Sequence, residues 1–337
     1  MEACLYEALN DGNVRCHLCS HRCLIKEGGF GRCKVRQNNG GVLESLVYSK
    51  LVAINPDPIE KKPLYHFMPG SLAYSIATAG CNFRCAFCQN AEISQMPGQT
   101  GRVDGKIFSA ADVVDHALES GCQSIAHTYT EPTINMEFAY DTGLLAHEKG
   151  LKNVFVSNGY MTPEAIDLIA PCLDAINIDL KSFSDDFYRE ICQARLEPVL
   201  ESLRRFVSRG ILVEVTTLLI PGKNDEEAEI RAMAEFIADD LGVETPWHIS
   251  RFHPAHEMKS VSPTPVGTLT RARDIGLETG LQYVYIGNVG GHPAENTYCP
   301  QCGRLIVERA GHFTLRKYNI KEGYCFFCGA LIPGYDL

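Results

Sequence analysis

Cys81-Asn82-Phe83-Arg84-Cys85-Ala86-Phe87-Cys88 is the stretch in this chain with the densest chemistry. It reads C-x3-C-x2-C, with an aromatic residue directly before the third cysteine. Three thiolates in one short loop can hold three irons of a [4Fe–4S] cube, because soft sulfur ligands suit iron–sulfur clusters. The fourth iron is then free to bind a small molecule. A zinc knuckle or three unrelated buried thiols would use the same residue type. A knuckle, however, needs a fourth ligand nearby; no cysteine lies between Cys88 and Cys122, and the one histidine there, His116, is 28 residues on.

Two further groups carry metal-ligand spacing. Cys299-Pro300-Gln301-Cys302-Gly303 and Cys325-Phe326-Phe327-Cys328-Gly329 are paired C-x2-C-G knuckles, separated by 22 residues. Four thiolates so arranged make a zinc ribbon or a rubredoxin-type iron site. Arg304–Glu308 and His312–Tyr318 alternate between them as a hairpin does. Near the start, Cys16, Cys19, Cys23 and Cys33 read C-x2-C-x3-C-x9-C, a four-thiolate set for zinc or an auxiliary cluster, with buried free thiols as the bland alternative. His17 and His21 are substitute ligands there. A head this small buries little core and gains from a metal staple.

The chain has 337 residues and 15 cysteines, 11 of them in these three groups. That usage, with no basic-then-apolar leader in Met1-Glu2-Ala3-Cys4, points to metal ligation in a reducing cytoplasm rather than to a disulfide framework. A net charge of −10 argues against a nucleic-acid footprint. No apolar run reaches the roughly 18 residues of a membrane span.

The elements that must position these groups alternate from Leu72 onward. Strands are expected at 72–78, 123–128, 153–157, 175–180, 211–220 and 247–252, with an edge strand at 282–286. Helices are expected at 109–120, 135–149, 163–170, 185–192, 198–209, 225–240 and 265–279. Arg32–Arg36 and Val42–Val47 form a hairpin across Asn38–Gly41. Serial β–α units imply a parallel sheet with right-handed crossovers, so the chain is α/β, and a doubly wound sheet and an α/β barrel both satisfy the pattern. The expected division is a head and lead-in at 1–70, a β/α domain at 71–290 and a tail at 291–337.

The cysteine loop with Phe87, the flanking Asp57-Pro58-Ile59-Glu60-Lys61-Lys62-Pro63-Leu64, His66-Phe67-Met68-Pro69-Gly70 and Cys88-Gln89-Asn90 resemble the radical S-adenosylmethionine (SAM) superfamily. Within it they resemble the pyruvate formate-lyase activating-enzyme branch, and more closely the AmmeMemoRadiSam-system enzymes, over nearly the whole chain. The resemblance implies a partial (β/α)6 barrel, open on one side. It implies SAM on the open iron, a low-potential donor of the flavodoxin or ferredoxin type, and a 5′-deoxyadenosyl radical that abstracts hydrogen. It also implies as partner either a glycyl-radical enzyme or Memo-like and AMMECR-like proteins. The matching strand-end motifs assign SAM contacts to Thr130 and Glu131 (family Gly-Gly-Glu-Pro, here with Tyr129 and Thr130 in place of the glycines), to Asn158, to Asp179 and Lys181, and to His256. Ala255 replaces the usual aromatic before that histidine, which leaves His253 as a substitute. Alkyl transfer from SAM, or a catalytically silent metal-binding adaptor, are the competing readings.

Overall fold

The computed structural model describes residues 1–311 and 315–337. Its centre is one eight-stranded sheet. In chain order the strands are β1 (Ala53–Pro58), β2 (Leu72–Ala77), β3 (Ser124–His127), β4 (Lys152–Ser157), β5 (Ala175–Asp179), β6 (Leu212–Leu219), β7 (Trp247–Arg251) and β8 (Val284–Gly287). Strands β2 to β8 run parallel, each beside its sequence neighbour. The expected order is therefore observed, and 282–286 is a true seventh parallel strand rather than a loose edge.

One strand was not anticipated. β1 pairs antiparallel with β2 through six residues, Ala53↔Ala77 to Pro58↔Leu72. Pro56 and Pro58 cannot donate to a ladder, which confines such a strand to an edge. Within the expected head and lead-in, residues Ala53–Pro58 thus form the edge of the central sheet.

The helices between strands follow their sequence signals. Ser109 caps Ala110–Glu119 with a reciprocal capping box: Ser109 Oγ accepts from the Asp112 N–H at 3.1 Å, and the Ser109 N–H donates to Asp112 at 2.7 Å. Val113, Val114 and Ala117 form its buried face. Met136–Glu148, Pro163–Ile169, Glu197–Ser208, Glu227–Phe236 and Val266–Glu278 complete the layer. Two expected helices change pitch. Asp185–Phe187 passes into a π turn at Tyr188–Cys192, and Glu227–Phe236 into another at Ile237–Leu241. No helix among the described residues is long and apolar enough to cross a membrane.

The head packs on the barrel through a hairpin, Arg36–Asn39 and Val42–Ser45, turning at Gly40-Gly41. Arg36 is 1% exposed and donates to Glu137 on the Met136–Glu148 helix at 2.5 Å. The Cys4 N–H donates to the same carboxylate oxygen at 2.8 Å. In the tail, Leu305–Arg309 pairs with Leu315–Tyr318; the start of that second strand, expected from His312, lies outside the described residues. Tyr335 stacks on Phe67 at 5.1 Å, and the Tyr335 N–H donates to the His66 carbonyl at 2.8 Å, closing the N-terminal end of the sheet.

Removing one partner of a buried ion pair leaves the other charge without compensation, at a cost of about 3–5 kcal/mol. Glu137→Ala is therefore expected to lower the urea midpoint by that order and to open the head to limited proteolysis within residues 1–50. Unchanged proteolysis of that segment would refute the pair as its anchor.

Candidate functional site

All seven parallel strands end on one side of the sheet, and the chain after β2 runs straight into the cysteine loop. Cys81, Cys85 and Cys88 line one pocket of ≈ 250 Å³ with Thr130, Glu131, Asn158, Asp179 and Lys181. Five of the six strand-end residues expected to bind a cofactor are thus brought to the three sulfurs. His256 is not. It takes a left-handed backbone (φ 47°) and lines a separate cleft with Lys34, Arg84 and Gln193, because the chain turns away from the barrel mouth after Phe252. His253, the substitute, is exposed to solvent. Neither histidine reaches the sulfur pocket.

The strand ends are tied to each other by Glu131, which is 2% exposed. Its Oε1 accepts from the Thr133 N–H at 3.0 Å, Thr133 Oγ1 at 2.5 Å and Ser157 Oγ at 2.8 Å; its Oε2 accepts from the Asn158 N–H at 2.8 Å. Burial pushes its carboxyl up, against these donors. With Oε1 committed, Oε2 keeps the remaining acceptor capacity of the group. Asn158 carries the link onward: its Nδ2 donates to Asn82 Oδ1 at 2.7 Å and lies 3.8 Å from Cys81 Sγ. Gly159 supplies the turn, at φ 68°; a Cβ there would stand 2.8 Å from Ile178 Cγ2.

The sulfurs have donors of their own. The Phe83 N–H reaches Cys81 Sγ at 3.3 Å, and Ser94 Oγ stands 3.4 Å from Cys88 Sγ. Cys85 is braced from behind, where the Arg84 and Ala86 N–H groups donate to the carbonyls of Cys192 and Ile191, both at 3.0 Å. Among the described residues, the tail holds the one group of three or more His, Cys, Asp or Glu ligand atoms lying within 4.8 Å of one another. The three loop sulfurs do not close on one point in this way; they share a wall of the pocket.

Lys181 Nζ and Asp179 Oδ2 pair at 2.9 Å on the pocket wall, and Nζ lies 5.5 Å from the Phe87 ring centre. Burial works against the Lys181 ammonium, but the Asp179 carboxylate outweighs it and keeps the group charged. The expected Asp-x-Lys geometry at the end of β5 is present.

Next to the pocket lies a larger chamber of ≈ 560 Å³ inside the barrel. The two share Tyr129, Thr130, Asp179, Thr216 and Asn288 as walls. Thr216 Oγ1 and Asn177 Oδ1 in these walls are buried without a partner. Unpaired polar atoms at a cavity wall favour a ligand that can hydrogen-bond them.

The sequence reading missed the chamber's cationic corner. Asp57 accepts from Lys62 at 2.7 Å, from Lys61 at 2.9 Å and from Tyr129. Nothing in the local spacing of Tyr129 announces a partner 72 residues away; the run Asp57–Lys62 was a motif without a contact until β1 placed it. Burial opposes the Asp57 carboxylate, but Lys62, Tyr129 and Lys61 together hold it well below the usual carboxylate range. Burial takes Lys62 down to about 8 despite Asp57, and takes Tyr129 up to about 12 with help from it.

In the tail all four expected cysteines meet. Cys299 and Cys328 Sγ are 3.6 Å apart, and Cys302 and Cys325 Sγ are 3.8 Å apart. Tetrahedral ligands at 2.3 Å from one ion stand about 3.8 Å from each other.

The model of the Radical SAM superfamily matches residues 75–234. An uncharacterized protein of Methanocaldococcus jannaschii is 45% identical over 98% of both chains. The pyruvate formate-lyase 1-activating enzyme of Escherichia coli is 20% identical over 61% of this chain and 89% of that enzyme. Among solved structures, SuiB of Streptococcus suis bound to its precursor peptide SuiA superposes with a TM-score of 0.51 at 12% identity, over 69% of this chain and 52% of that one; this similarity is one of fold. The chain belongs to the radical SAM superfamily. It is an enzyme of that class, whose cofactors are a [4Fe–4S] cluster and SAM, and the three-sulfur pocket has the donor set such a cluster needs.

Asp57 gives the site a pH signature. Its folded-state pKa is depressed, so its contribution is present above the ordinary carboxylate pKa of about 3.9 and disappears as pH falls below it. Asp57→Asn is expected to lower stability at neutral pH by about 3 kcal/mol. Melting curves of the two proteins should converge on acidification below about pH 4. A gap that persists unchanged into acid would refute this.

Proposed function

We propose that Cys81, Cys85 and Cys88 hold the [4Fe–4S] cluster at the barrel mouth, that SAM occupies the adjoining pocket, and that substrate is presented in the chamber beyond. The observation that carries this is three sulfurs on one wall of a pocket whose other walls are the ends of β3, β4 and β5. When bound, the reduced cluster supplies the electron that breaks a carbon–sulfur bond of SAM, giving methionine and a 5′-deoxyadenosyl radical that takes hydrogen from the substrate.

The chain's own residues do the positioning. Lys181, kept charged by Asp179, pairs with the SAM carboxylate. Asp179 presents its second oxygen to the ribose hydroxyls. The open acceptor site of Glu131 and the hydroxyl of Thr130 face the amino group, a charge-assisted contact on the Glu131 side. Asn158 fixes the Cys81 side of the loop. Tyr129 and Thr216 stand where pocket and chamber meet, so they orient whatever approaches the radical.

The relatives named as activating enzymes support a polypeptide substrate, a glycine-bearing loop of a glycyl-radical enzyme, with a reduced flavodoxin or ferredoxin as donor. The chamber supports a second reading, a small polar molecule. Its walls carry Lys61, Lys62, His248 and two unpaired polar atoms, more polar capacity than a glycine loop needs. The Memo-like and AMMECR-like proteins implied by the sequence resemblance belong to this second reading. We assign zinc to the four tail cysteines, a closed site with no open position and hence a structural one.

Anaerobically reconstituted protein with dithionite and SAM is expected to form 5′-deoxyadenosine and methionine in equal amounts. No cleavage by protein with a loaded cluster would overturn the reading, and a different SAM fragment would establish alkyl transfer instead. Cys85→Ala should lose the iron of this site, since two thiolates do not hold the cube. Cys302→Ala should lose tail zinc and lower the stability of the tail while leaving iron at the loop unchanged. Loss of both metals in that variant would show that the sites are not independent.

A further inference from the structure

The head contains four cysteines that the chemistry above does not use. Cys16, Cys19, Cys23 and Cys33 all line one small cavity, together with Arg36 and Ile134. None of the four is exposed. They come from separate segments: Cys16 ends a strand paired with Tyr6–Ala8, Cys19 and Cys23 lie in the following turn, and Cys33 precedes the Arg36–Asn39 strand. Folding, not local spacing alone, brings them to a common space.

Their arrangement differs from that of the tail. The tail sulfurs, at 3.6 and 3.8 Å, have the spacing that four ligands of one ion require. No three of the head sulfurs lie within 4.8 Å of one another. They line one cavity without closing on a single point, which leaves room for ligands to separate irons. Donors fit the same occupant. The Arg32 N–H points to Cys23 Sγ at 3.4 Å. Arg36, buried to 1%, spends its Nη groups on the Cys4 carbonyl and Glu137, while its Nε has no partner. An unpaired buried N–H on a cationic group beside four sulfurs fits an anionic, sulfur-rich ligand. The cavity itself is closed and narrow, ≈ 10 Å³, because donor bonds lie well inside van der Waals contact and a core bonded to all four sulfurs needs little space beyond them.

The head is also pressed against the cysteine loop. Gly80, the residue before Cys81, has φ 102°; a Cβ there would stand 2.8 Å from Val35 Cγ1 and 3.3 Å from the Cys33 carbonyl. Arg84 Nη2 donates to the Arg32 carbonyl at 3.0 Å, and His21 Nε2 lies 2.9 Å from the Asn82 carbonyl. Backbone beside one sulfur set touches backbone beside the other.

From these contacts we infer that the head is a second iron–sulfur site, a [4Fe–4S] cluster on Cys16, Cys19, Cys23 and Cys33, which passes single electrons to the loop. A reduced one-electron carrier of the flavodoxin or ferredoxin class loses one electron; the head cluster accepts it, then returns to its oxidised state as the loop cluster is reduced. No bond is made or broken and no proton moves. The relay role rests on the function proposed above; the site does not.

The Cys81→Ala/Cys85→Ala/Cys88→Ala chain, purified and reconstituted without oxygen, tests the site alone. It is expected to keep about four irons and four sulfides per chain and to give a cluster EPR signal on reduction. Zinc in the head, or no iron, would overturn the proposal. Cys19→Ser and, separately, Cys23→Ser test the relay with the loop intact. With dithionite their SAM cleavage should match wild type, while with a reduced flavodoxin it should fall on the order of tenfold or more. Equal loss with both reductants, or no loss with either, would overturn the relay. Failure of wild type to cleave SAM with dithionite would instead refute the radical reading and leave the iron count of the head standing.

Discussion

A buried carboxylate holds the working end of this protein together. Glu131 leaves β3, turns inward, and accepts hydrogen bonds from Thr133, Ser157 and Asn158. Through Asn158 the same chain of contacts reaches Asn82 and the side of Cys81. A carboxylate held away from water is tolerated only when hydrogen-bond donors surround it. The consequence is mechanical: two strand ends and a sulfur-bearing loop are fixed to one point, so the sulfurs face the pocket before any cofactor arrives. Preorganisation of this kind spares binding energy that would otherwise go into ordering the loop.

Around that point the molecule separates tasks by depth. The mouth carries sulfur and the Asp179–Lys181 pair. The interior chamber carries Tyr129, Lys62 and His248. At the N-terminal end of the sheet, Glu214 accepts from the His66 N–H at 2.7 Å and from His248 at 2.6 Å, and His66 meets Tyr285 at 2.7 Å. Arg309 of the tail lies over Tyr65 at 4.1 Å and bonds Thr297 at 2.8 Å. These contacts tie the tail to the N-terminal end of the sheet, opposite the strand ends that carry the sulfur loop.

Much of this was readable in the amino-acid order, because its signals are local. Spacing grouped the cysteines, apolar runs marked the parallel strands, and Ser109 marked its helix start. The doubly wound alternative gave way to the barrel through resemblance rather than periodicity. What stayed hidden depends on distance along the chain. Pro56 and Pro58 argue against a strand until β2 is known to lie beside them as a partner. Tyr129 stood out only as a departure from a glycine motif, yet its hydroxyl meets Asp57. His256 had the right order in the sequence and the wrong direction in space, since a left-handed residue turns the loop outward. The π turn at Tyr188–Cys192, which braces Cys85, has no residue pattern that separates it from an ordinary helix.

The position of Tyr335 has a consequence for how the molecule is made. Phe67 and the His66 carbonyl find their partners 268 residues and 269 residues later in the chain. Contacts so distant in sequence form last and slow folding. Until the tail is made, the Phe67 ring and the His66 carbonyl lack their Tyr335 partner. The Cys81–Cys88 loop precedes that partner by more than 200 residues, so the folding of the loop and the closure at Tyr335 are separable events in the life of the nascent chain.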